Sequence, residues 1–333
     1  MKSIVYEKYG QPDVLQLKEV AKPSPKDDEV LIEIHAASVN AADWHLLTAD
    51  IFLVRLMSGG LLKPKNTILG GDIAGRIQAV GKNVTQFQPG DEVFGDILGS
   101  GGGGFAEYAC ASENLIAPKP TNLSFEQAAA VPIAAVTALQ GVRDQGEIQP
   151  GQRVLIQGAS GGVGTFAVQI AKSFGAEVTA VTSPRNLDQA RALGADHVID
   201  YTQEDFTKSG QRYDLILAAN GYHPLSDYKR VLTPRGIYVM AGGTATQMFQ
   251  AMLLGPWMSE REGKKLGGVS AKTSQADLQF LTELIEAGKV RPVIDRCYQL
   301  GETAEALRYL GTGHARGKIV ITIEHSNKTK VKE

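Results

Sequence analysis

The chain has 333 residues, two to three times the length of a typical domain, which predicts two domains. Its 34 basic and 36 acidic residues nearly cancel, which argues against a protein whose main role is to bind nucleic acid. Two cysteines, Cys110 and Cys297, exclude a disulfide framework and a cysteine-rich zinc module. The 37 glycines exceed average usage and suggest backbone that approaches other groups closely.

No signal for export or for membrane insertion is recognised. The residues MKSIVYEKYG have no apolar run after the first lysine, unlike a signal peptide. The most apolar stretch, 128–139, is shorter than the roughly 20 residues of a spanning helix. We therefore expect a cytoplasmic protein without an integral membrane segment, and the apolar stretch 51–62 leaves peripheral membrane contact open.

Up to about residue 122 the sequence consists of short strand-like runs separated by turn dipeptides. Within 29–37, Val30, Ile32 and Ile34 alternate with their neighbours, which is typical of a strand. Turns are predicted at Pro89-Gly90 and Gly70-Gly71. Further strands are predicted at 3–6, 75–80, 92–95 and 105–110. This part of the chain predicts a β-rich, barrel-like domain.

The pattern changes at Ser124. Ser124 and Gln127 have the S-x-x-Q spacing of a capping box, which predicts a helix that continues through 128–142. Strands and helices then alternate, which predicts a parallel sheet with helices on both faces. The predicted strands of this sheet are 154–157, 178–182, 197–199, 214–218 and 236–240, and the predicted helices are 163–174, 186–193, 223–232 and 275–286. From about Arg291 the sequence is of mixed character again, and it ends in a predicted strand at 318–323.

The fold class expected from this order is α/β, with a Rossmann-type parallel sheet domain inserted in a β-rich domain. The β-rich domain comprises 1–123 and 291–333, from the two ends of the chain, and the inserted domain comprises 124–290.

A glycine cluster, 158–164, follows the first predicted strand of the inserted domain. It approximates the dinucleotide fingerprint G-x-G-x-x-G, with Ala159 in place of the first glycine, then Gly161 and Gly164. Glycine suits a backbone that passes close to a pyrophosphate, and the amides at the start of the next helix face the phosphates. The cluster therefore predicts a dinucleotide site.

The same cluster also fits G-x-S-x-G, the nucleophile elbow of α/β-hydrolases, with Ser160 as the nucleophile. Asp214 and His223 are then candidate partners. The preceding sequence is β-rich and has no His-Gly oxyanion loop, so the dinucleotide interpretation is favoured. The hydrolase, and a glycine-rich turn that binds nothing, stay open as alternatives.

The end of the second strand bears on the choice of cofactor. An NAD site has an acidic residue there that binds the ribose 2′-hydroxyl. This chain has Ser183 and Arg185, a hydroxyl and a guanidinium that suit a 2′-phosphate. NADPH is therefore favoured over NADH, against the alternative that Arg185 is a solvated residue at a helix start.

Nine further segments, spread over nearly the whole chain, carry a resemblance to a known family: 38–43, 69–75, 89–93, 101–107, 128–132, 159–164, 193–196, 219–221 and 313–319. Together they resemble the medium-chain dehydrogenase/reductase superfamily. Zinc alcohol dehydrogenases of this superfamily have a cysteine where Asn40 stands, a His-Glu pair where Gly71-Asp72 stand, and a four-cysteine loop where 99–104 stand. The resemblance is thus to the zinc-free quinone oxidoreductase branch, and it implies a GroES-like β-rich domain and no metal.

The resemblance implies that the chain reduces quinones, or the C=C bond of α,β-unsaturated carbonyls, with NADPH. The cofactor contacts that it implies are Ser160, Gly161, Gly162, Val163, Ser183, Arg185, Tyr201, Asn220, His314 and Arg316. In the absence of a metal, we expect Asn40 and Thr137 to donate hydrogen bonds to the substrate oxygen.

A small apolar carbonyl or quinone is the expected substrate, and a homodimer is the expected assembly. Two other functions stay open: an enoyl-thioester reductase of the same superfamily, and a non-enzymatic NADPH-binding sensor or scaffold. The residues expected to line an apolar pocket are Phe52, Leu53, Leu56, Met57, Met248, Phe249, Met252, Leu253 and Trp257, and the last five are equally well explained as a dimer interface or core.

Overall fold

The structure is a computed structural model that describes residues 1–49, 60, 62–220, 222–243 and 263–325. The chain divides into two compact units. The first comprises Met1–Pro132, Arg296–His314 and Ile319–Glu333, and the second comprises Ile133–Asp295 and Ala315–Lys318. The expected pocket residues, which are Phe52, Leu53, Leu56, Met57, Met248, Phe249, Met252, Leu253 and Trp257, lie outside the described residues.

The first unit is built on a sheet of seven strands in the described part of the chain. The central strand β3 (Glu29–Val39) pairs antiparallel with three other strands. The sheet order is β14-β15-β3-β4-β5-β7, and β6 also pairs with β3. The other strands of this unit are β1 (Lys2–Val5), β2 (Gln16–Glu19), β4 (Asp72–Val80), β5 (Glu92–Asp96), β6 (Tyr108–Ser112), β7 (Ile116–Pro118), β14 (Ile294–Gln299) and β15 (Lys318–Thr322).

The alternation expected along β3 is present in only part of the strand. Val30, Ile32 and Ile34 are fully buried and Glu33 and His35 are half-buried, but Leu31 is buried as well. Residues 36–39 are buried on both faces of the strand. The core of the first unit therefore packs on one face of β3 near Ile34 and on both faces near its C-terminal end.

The second unit is built on a parallel sheet with strand order β10-β9-β8-β11-β12-β13 in the described residues. The order runs outward in both directions from β8 and β11, so this is the doubly wound sheet predicted from the sequence. The strands are β8 (Arg153–Gln157), β9 (Glu177–Thr182), β10 (His197–Asp200), β11 (Tyr213–Ala218), β12 (Leu232–Met240) and β13 (Lys265–Gly268). The edge strand β13 was not predicted, because its sequence KLGG lacks an apolar run.

Helices alternate with the strands of the second unit and are few in the first. The 12-residue helix at 275–286 has the predicted bounds. The α-helices of the described residues are α1 (Ala41–Thr48), α2 (Phe125–Ala129), α3 (Pro132–Leu139), α4 (Gly162–Ser173), α5 (Leu187–Ala192), α6 (Leu225–Arg230), α7 (Gln275–Glu286) and α8 (Thr303–Gly311).

The prediction of one continuous helix from Ser124 through residue 142 is wrong, because the segment forms two helices. The capping box is present, since the Gln127 amide donates to Ser124 Oγ and the Ser124 amide donates to Gln127 Oε1. However, α2 ends at Ala129 and α3 begins at Pro132. Proline has no N–H and disfavours a helical conformation at the residue before it, so it begins a new helix instead of continuing α2.

No helix in the described ranges has both the length and the apolarity required to cross a bilayer.

Candidate functional site

The glycine loop connects β8 to α4. Gly158 has a φ of +75°, and the amides of Gly158 and Ala159 donate to the carbonyl oxygen of Val181 at 3.1 and 3.2 Å. Gly161 is the N-cap of α4 and has extended backbone. The loop therefore lies at the carboxyl edge of the sheet, between β8 and β9, where parallel α/β sheets bind their ligands.

Two glycines of the loop serve different purposes. A Cβ atom on Gly164 would lie 2.1 Å from the carbonyl oxygen of Gly158, so only glycine allows α4 to pack on the turn. A Cβ atom on Gly161 would have no neighbour nearer than 3.6 Å. The fold itself therefore does not require glycine at position 161, and its absent side chain leaves open the approach to the amides of α4.

Ser183 and Arg185 follow β9. Arg185 lies in a short 3-10 helix, Pro184–Asn186, and Ser183 is the N-cap of that helix. Arg316, from the C-terminal part of the second unit, donates from Nη2 to the carbonyl oxygen of Arg185 at 3.2 Å. The side-chain amide of Gln189 in turn donates to the carbonyl oxygen of Arg316 at 3.2 Å. These bonds place Arg316 beside the segment that follows β9. Residues 183–186 of that segment include Arg185 and no acidic side chain, so Arg316 adds a second guanidinium group.

Asn186 connects this segment to the glycine loop. Its Nδ2 donates to Ser160 Oγ and to Ser183 Oγ, each at 3.0 Å. The side chains of two predicted site residues are thus brought together by a residue that sequence reasoning missed. The available signal was its position directly before α5, where asparagine is a preferred capping residue.

The remaining expected cofactor residues are distributed as follows. A Cβ atom on Gly158 would lie 3.1 Å from Asn220, so Asn220 adjoins the loop. Tyr201 follows β10 and is half-exposed, with its ring edge-to-face with that of Tyr222 at 6.1 Å. His314 is exposed and belongs to the first unit. Gly162 and Val163 form the first turn of α4.

Three buried polar atoms next to the loop test whether a nucleotide fits. Gln157 Nε2, Thr182 Oγ1 and Asn186 Oδ1 are buried, and none of them has a hydrogen-bond partner within the described ranges. Buried polar atoms are generally satisfied, so each of these calls for a partner. Ribose hydroxyls both donate and accept, and could satisfy such atoms. The residues therefore fit the ribose of a dinucleotide.

Behind the loop, Gln157 ends β8 and is almost fully buried. Its Oε1 accepts a hydrogen bond from the hydroxyl of Tyr228. Burial raises the pKa of Tyr228 to about 12, so this phenol stays neutral at physiological pH. Tyr228 therefore holds the Gln157 side chain behind the glycine loop without adding a charge to the site.

The hydrolase interpretation of the loop is wrong. β8 and β11 are parallel and Leu215 pairs with Val154, so Asp214 lies at the amino edge of the sheet, while Ser160 lies beyond the carboxyl edge. The Asp214 carboxylate accepts hydrogen bonds from the Arg153 amide and the Thr233 hydroxyl instead. A serine nucleophile at 160 therefore lacks the proposed acid partner.

In the first unit, Asn40 lies in a buried polar cluster before α1. Its Nδ2 donates to Asp72 Oδ2 at 2.9 Å and to the carbonyl oxygen of Ser38 at 3.3 Å, and the Ser38 hydroxyl also donates to Asp72 Oδ2 at 2.8 Å. Asp43 accepts from the amides of Asn40 and Gly70. Both hydrogens of the Asn40 side chain are therefore directed to protein acceptors.

The second expected hydrogen-bond donor, Thr137, is buried in α3. Thr137 belongs to the second unit, whereas Asn40 belongs to the first. Among the described residues, no group of three or more His, Cys, Asp or Glu side chains is arranged to hold a metal ion.

Family models match both parts of the chain. Residues 26–121 match an alcohol dehydrogenase GroES-like domain, and residues 193–321 match a zinc-binding dehydrogenase. Among curated relatives, a chloroplastic quinone-oxidoreductase homolog of Spinacia oleracea is 35% identical and covers 96% of this chain and 98% of its own. A chloroplastic NADPH-dependent alkenal/one oxidoreductase of Arabidopsis thaliana is 33% identical over 96% of this chain and 79% of its own.

Solved structures match over the same length. The quinone oxidoreductase from Coxiella burnetii is 31% identical, with a TM-score of 0.85 over 97% of this chain and 99% of its own. The CurK enoyl reductase is 27% identical, with a TM-score of 0.85 over 97% of this chain and 99% of its own. The chain therefore belongs to the medium-chain dehydrogenase/reductase superfamily of oxidoreductases, among its quinone oxidoreductase homologues.

Proposed function

We propose that this chain is an NADPH-dependent reductase that works without zinc and transfers hydride to a quinone or to the C=C bond of an α,β-unsaturated carbonyl. The observation that carries the proposal is the segment 183–186 after β9, which has Ser183 and Arg185 and no acidic side chain. The Asp295 carboxylate, which lies against Arg316, accepts a hydrogen bond from the Arg316 amide at 2.9 Å. A carboxylate within 183–186 would repel a 2′-phosphate, whereas a guanidinium attracts it.

In the second unit, Ser160 and the amides of Gly161, Gly162 and Val163 would bind the pyrophosphate at the N-terminus of α4. Ser183 and Arg185 would bind the 2′-phosphate, with Arg316 as the second guanidinium. Tyr201 and Asn220 would lie on the adenosine side, and we include His314 as a further contact.

The cofactor, when bound, supplies the hydride. The chain's own task is to stabilise the negative charge that develops on the substrate oxygen. Hydride addition to an enone produces an enolate and hydride addition to a quinone produces a hydroquinone anion, and a proton from water then completes either reduction. We propose Asn40 and Thr137 as the donors. Asn40 would exchange its longer bond, the 3.3 Å contact with Ser38, for one with the substrate, while Asp72 holds the amide in place.

The names of the relatives support the substrate class. One is named for quinones and another for alkenals and enones with NADPH. The likeness to the CurK enoyl reductase supports a second candidate, the reduction of enoyl thioesters. Oxidation of NADPH measured with 1,2-naphthoquinone, a long-chain enone and crotonyl thioester separates these. A kcat/KM highest for the thioester would favour the second candidate.

The cofactor assignment is tested by two substitutions that the fold tolerates. Arg185→Ala should weaken the binding of NADPH by about tenfold or more and leave the binding of NADH nearly unchanged, because it removes one charged hydrogen-bonding partner of the 2′-phosphate. Gly161→Ala should leave the melting temperature unchanged and weaken the binding of both cofactors, because its methyl group fills the approach to the amides of α4. Equal affinities of the wild type for NADPH and NADH would contradict the proposal.

Zinc independence is tested with the same assay. Turnover should be unchanged after dialysis against a chelator and unchanged by added zinc. Loss of turnover on chelation, restored by zinc, would contradict this part of the proposal.

A further inference from the structure

Asn186 connects the two serines that flank the candidate phosphate sites. It directly precedes α5, and only 3% of its surface is exposed. Its Nδ2 donates to Ser160 Oγ in the glycine loop and to Ser183 Oγ at the end of β9, each at 3.0 Å. A single amide group thereby fixes the positions of two hydroxyls that come from different segments of the chain.

The direction of these hydrogen bonds matters for an anion. An amide nitrogen donates only, so each serine oxygen acts as an acceptor towards Asn186. The hydroxyl hydrogen of each serine is consequently left for a different acceptor. Phosphate oxygens are such acceptors, and hydrogen bonds to a charged acceptor are stronger than those between neutral groups.

The opposite end of the same amide suits the sugar. Asn186 Oδ1 is buried and has no partner in the part of the chain that the structure describes. A buried acceptor at this place matches a ribose hydroxyl, which is a donor. Asn186 thus presents donors to phosphate through the serines and an acceptor to the ribose directly.

We propose that Asn186 is the positioning residue that sets the preference for a 2′-phosphorylated dinucleotide, by holding Ser183 as a hydrogen-bond donor to the 2′-phosphate. Its second bond orients Ser160 at the pyrophosphate, which both dinucleotides share. This inference rests on the proposed function, because it requires that NADPH binds at the glycine loop. Arg185 supplies the charge at this site, and Asn186 supplies the direction of the neutral donors.

Binding of nucleotide fragments to the full chain tests the proposal without any catalytic step. The two probes are 2′,5′-ADP (adenosine 2′,5′-bisphosphate) and 5′-AMP, which differ only by the 2′-phosphate, and titration calorimetry measures each dissociation constant. Asn186→Ala should weaken the binding of 2′,5′-ADP by about tenfold, the value of one hydrogen bond to a charged group, and the binding of 5′-AMP by less than about threefold. Equal weakening of both probes overturns the proposal.

A double-mutant cycle shows whether Asn186 acts through Ser183. In the wild-type background, Ser183→Ala should weaken the binding of 2′,5′-ADP by about tenfold. In the Asn186→Ala background the same substitution should weaken the binding by less than about twofold, because the Ser183 hydroxyl is already free to rotate there. A purely structural role of Asn186 would give the same loss in both backgrounds, and that result overturns the proposal.

Asn186→Asp keeps the shape of the side chain and removes the donor, and it serves if the alanine variant does not fold. The serines must then donate to the carboxylate, so 2′,5′-ADP should bind more weakly than to Asn186→Ala, while the binding of 5′-AMP is affected less. Unchanged binding of 2′,5′-ADP overturns the proposal. A wild type that does not distinguish the two probes would instead contradict the NADPH assignment itself, so the two failures are distinguishable.

Discussion

Asn40 and Asp72 are joined by a buried hydrogen bond of 2.9 Å between Nδ2 and Oδ2. Asp72 is fully buried and stands directly opposite Ser38 in the pairing of β3 with β4. The carboxylate therefore accepts two side-chain hydrogen bonds in the interior of the first unit and fixes the orientation of Asn40.

Asp72→Ala should lower the free energy of unfolding by about 3 kcal/mol, because it leaves two buried donors unsatisfied. Asp27→Ala, which removes an exposed ion pair with Lys82, is the matched control. It should lower the free energy of unfolding by less than about 0.5 kcal/mol. Urea titrations of the two variants measure the difference. Similar losses for both would show that the Asp72 cluster is not structural.

Gly164→Ala should destabilise the second unit by about 3 kcal/mol or more. The added methyl group would lie 2.1 Å from a backbone oxygen that cannot move without opening the turn. Gly267→Ala, in β13, has open space around the new methyl group and should stay within about 0.5 kcal/mol of the wild type. Thermal unfolding checks this pair, and equal melting temperatures would contradict the close packing of α4 on the glycine loop.

His35 should make the first unit sensitive to acid. Its ring stacks on Phe125 at 4.4 Å, and burial, together with the nearby His325, holds its pKa below the ordinary value of 6.5. The unfolded chain therefore binds a proton at a higher pH than the folded chain, so the stability contributed by neutral His35 falls as the pH drops below about 6.5.

His35→Phe should reduce this loss of stability between pH 7 and pH 5. The free energy of unfolding of the wild type and of His35→Phe, measured at several pH values, tests this. A wild-type slope in His35→Phe would exclude His35 as the source of the acid sensitivity.

Asp277 should stabilise the second unit above acidic pH. Burial by itself raises the pKa of this carboxyl, but hydrogen bonds from Arg143, Gln140 and Ser274 outweigh burial and hold the pKa below 3.8. The stabilisation is therefore complete above pH 3.8 and is lost as the pH falls through the lowered pKa.

Asp277→Asn should cost about 2 kcal/mol at pH 7, and the difference from the wild type should shrink as the pH approaches 3. Asp188→Asn removes a carboxylate that is 99% exposed and should have little effect at any pH. Urea titrations at pH 7, 5 and 3 test this. A difference that does not depend on pH would show that the charge of Asp277 is not the stabilising feature.

Local sequence patterns were sufficient for five of the six described strands of the second unit's sheet and for the glycine loop. Apolar strands alternate with amphipathic helices there, and both periodicities are visible in a single sequence. The interruption before Pro132 was also visible in principle, because proline disfavours helix at the preceding residue, but the capping box at Ser124 had more weight in the prediction.

Long-range side-chain partners could not be predicted in the same way. The bond of Asn40 to Asp72 spans 32 positions and depends on the register of two strands. Asn186 bonds to Ser160 across 26 positions, because β8 and β9 are neighbours and their following segments meet. Neither relationship has a local signature, since the spacing is set by the length of the intervening segments and not by helix or strand periodicity.

The stretch Ala315–Lys318 belongs to the second unit although the chain on both sides of it belongs to the first. Arg316 bonds there to Arg185, and the Lys318 amide bonds to the carbonyl oxygen of Val293 at 2.7 Å. During synthesis the second unit therefore cannot complete these contacts until residues near position 318 have been made. A fragment that stops at Asp295 would contain the six described strands of the parallel sheet and still lack Arg316, the second guanidinium of the proposed phosphate site.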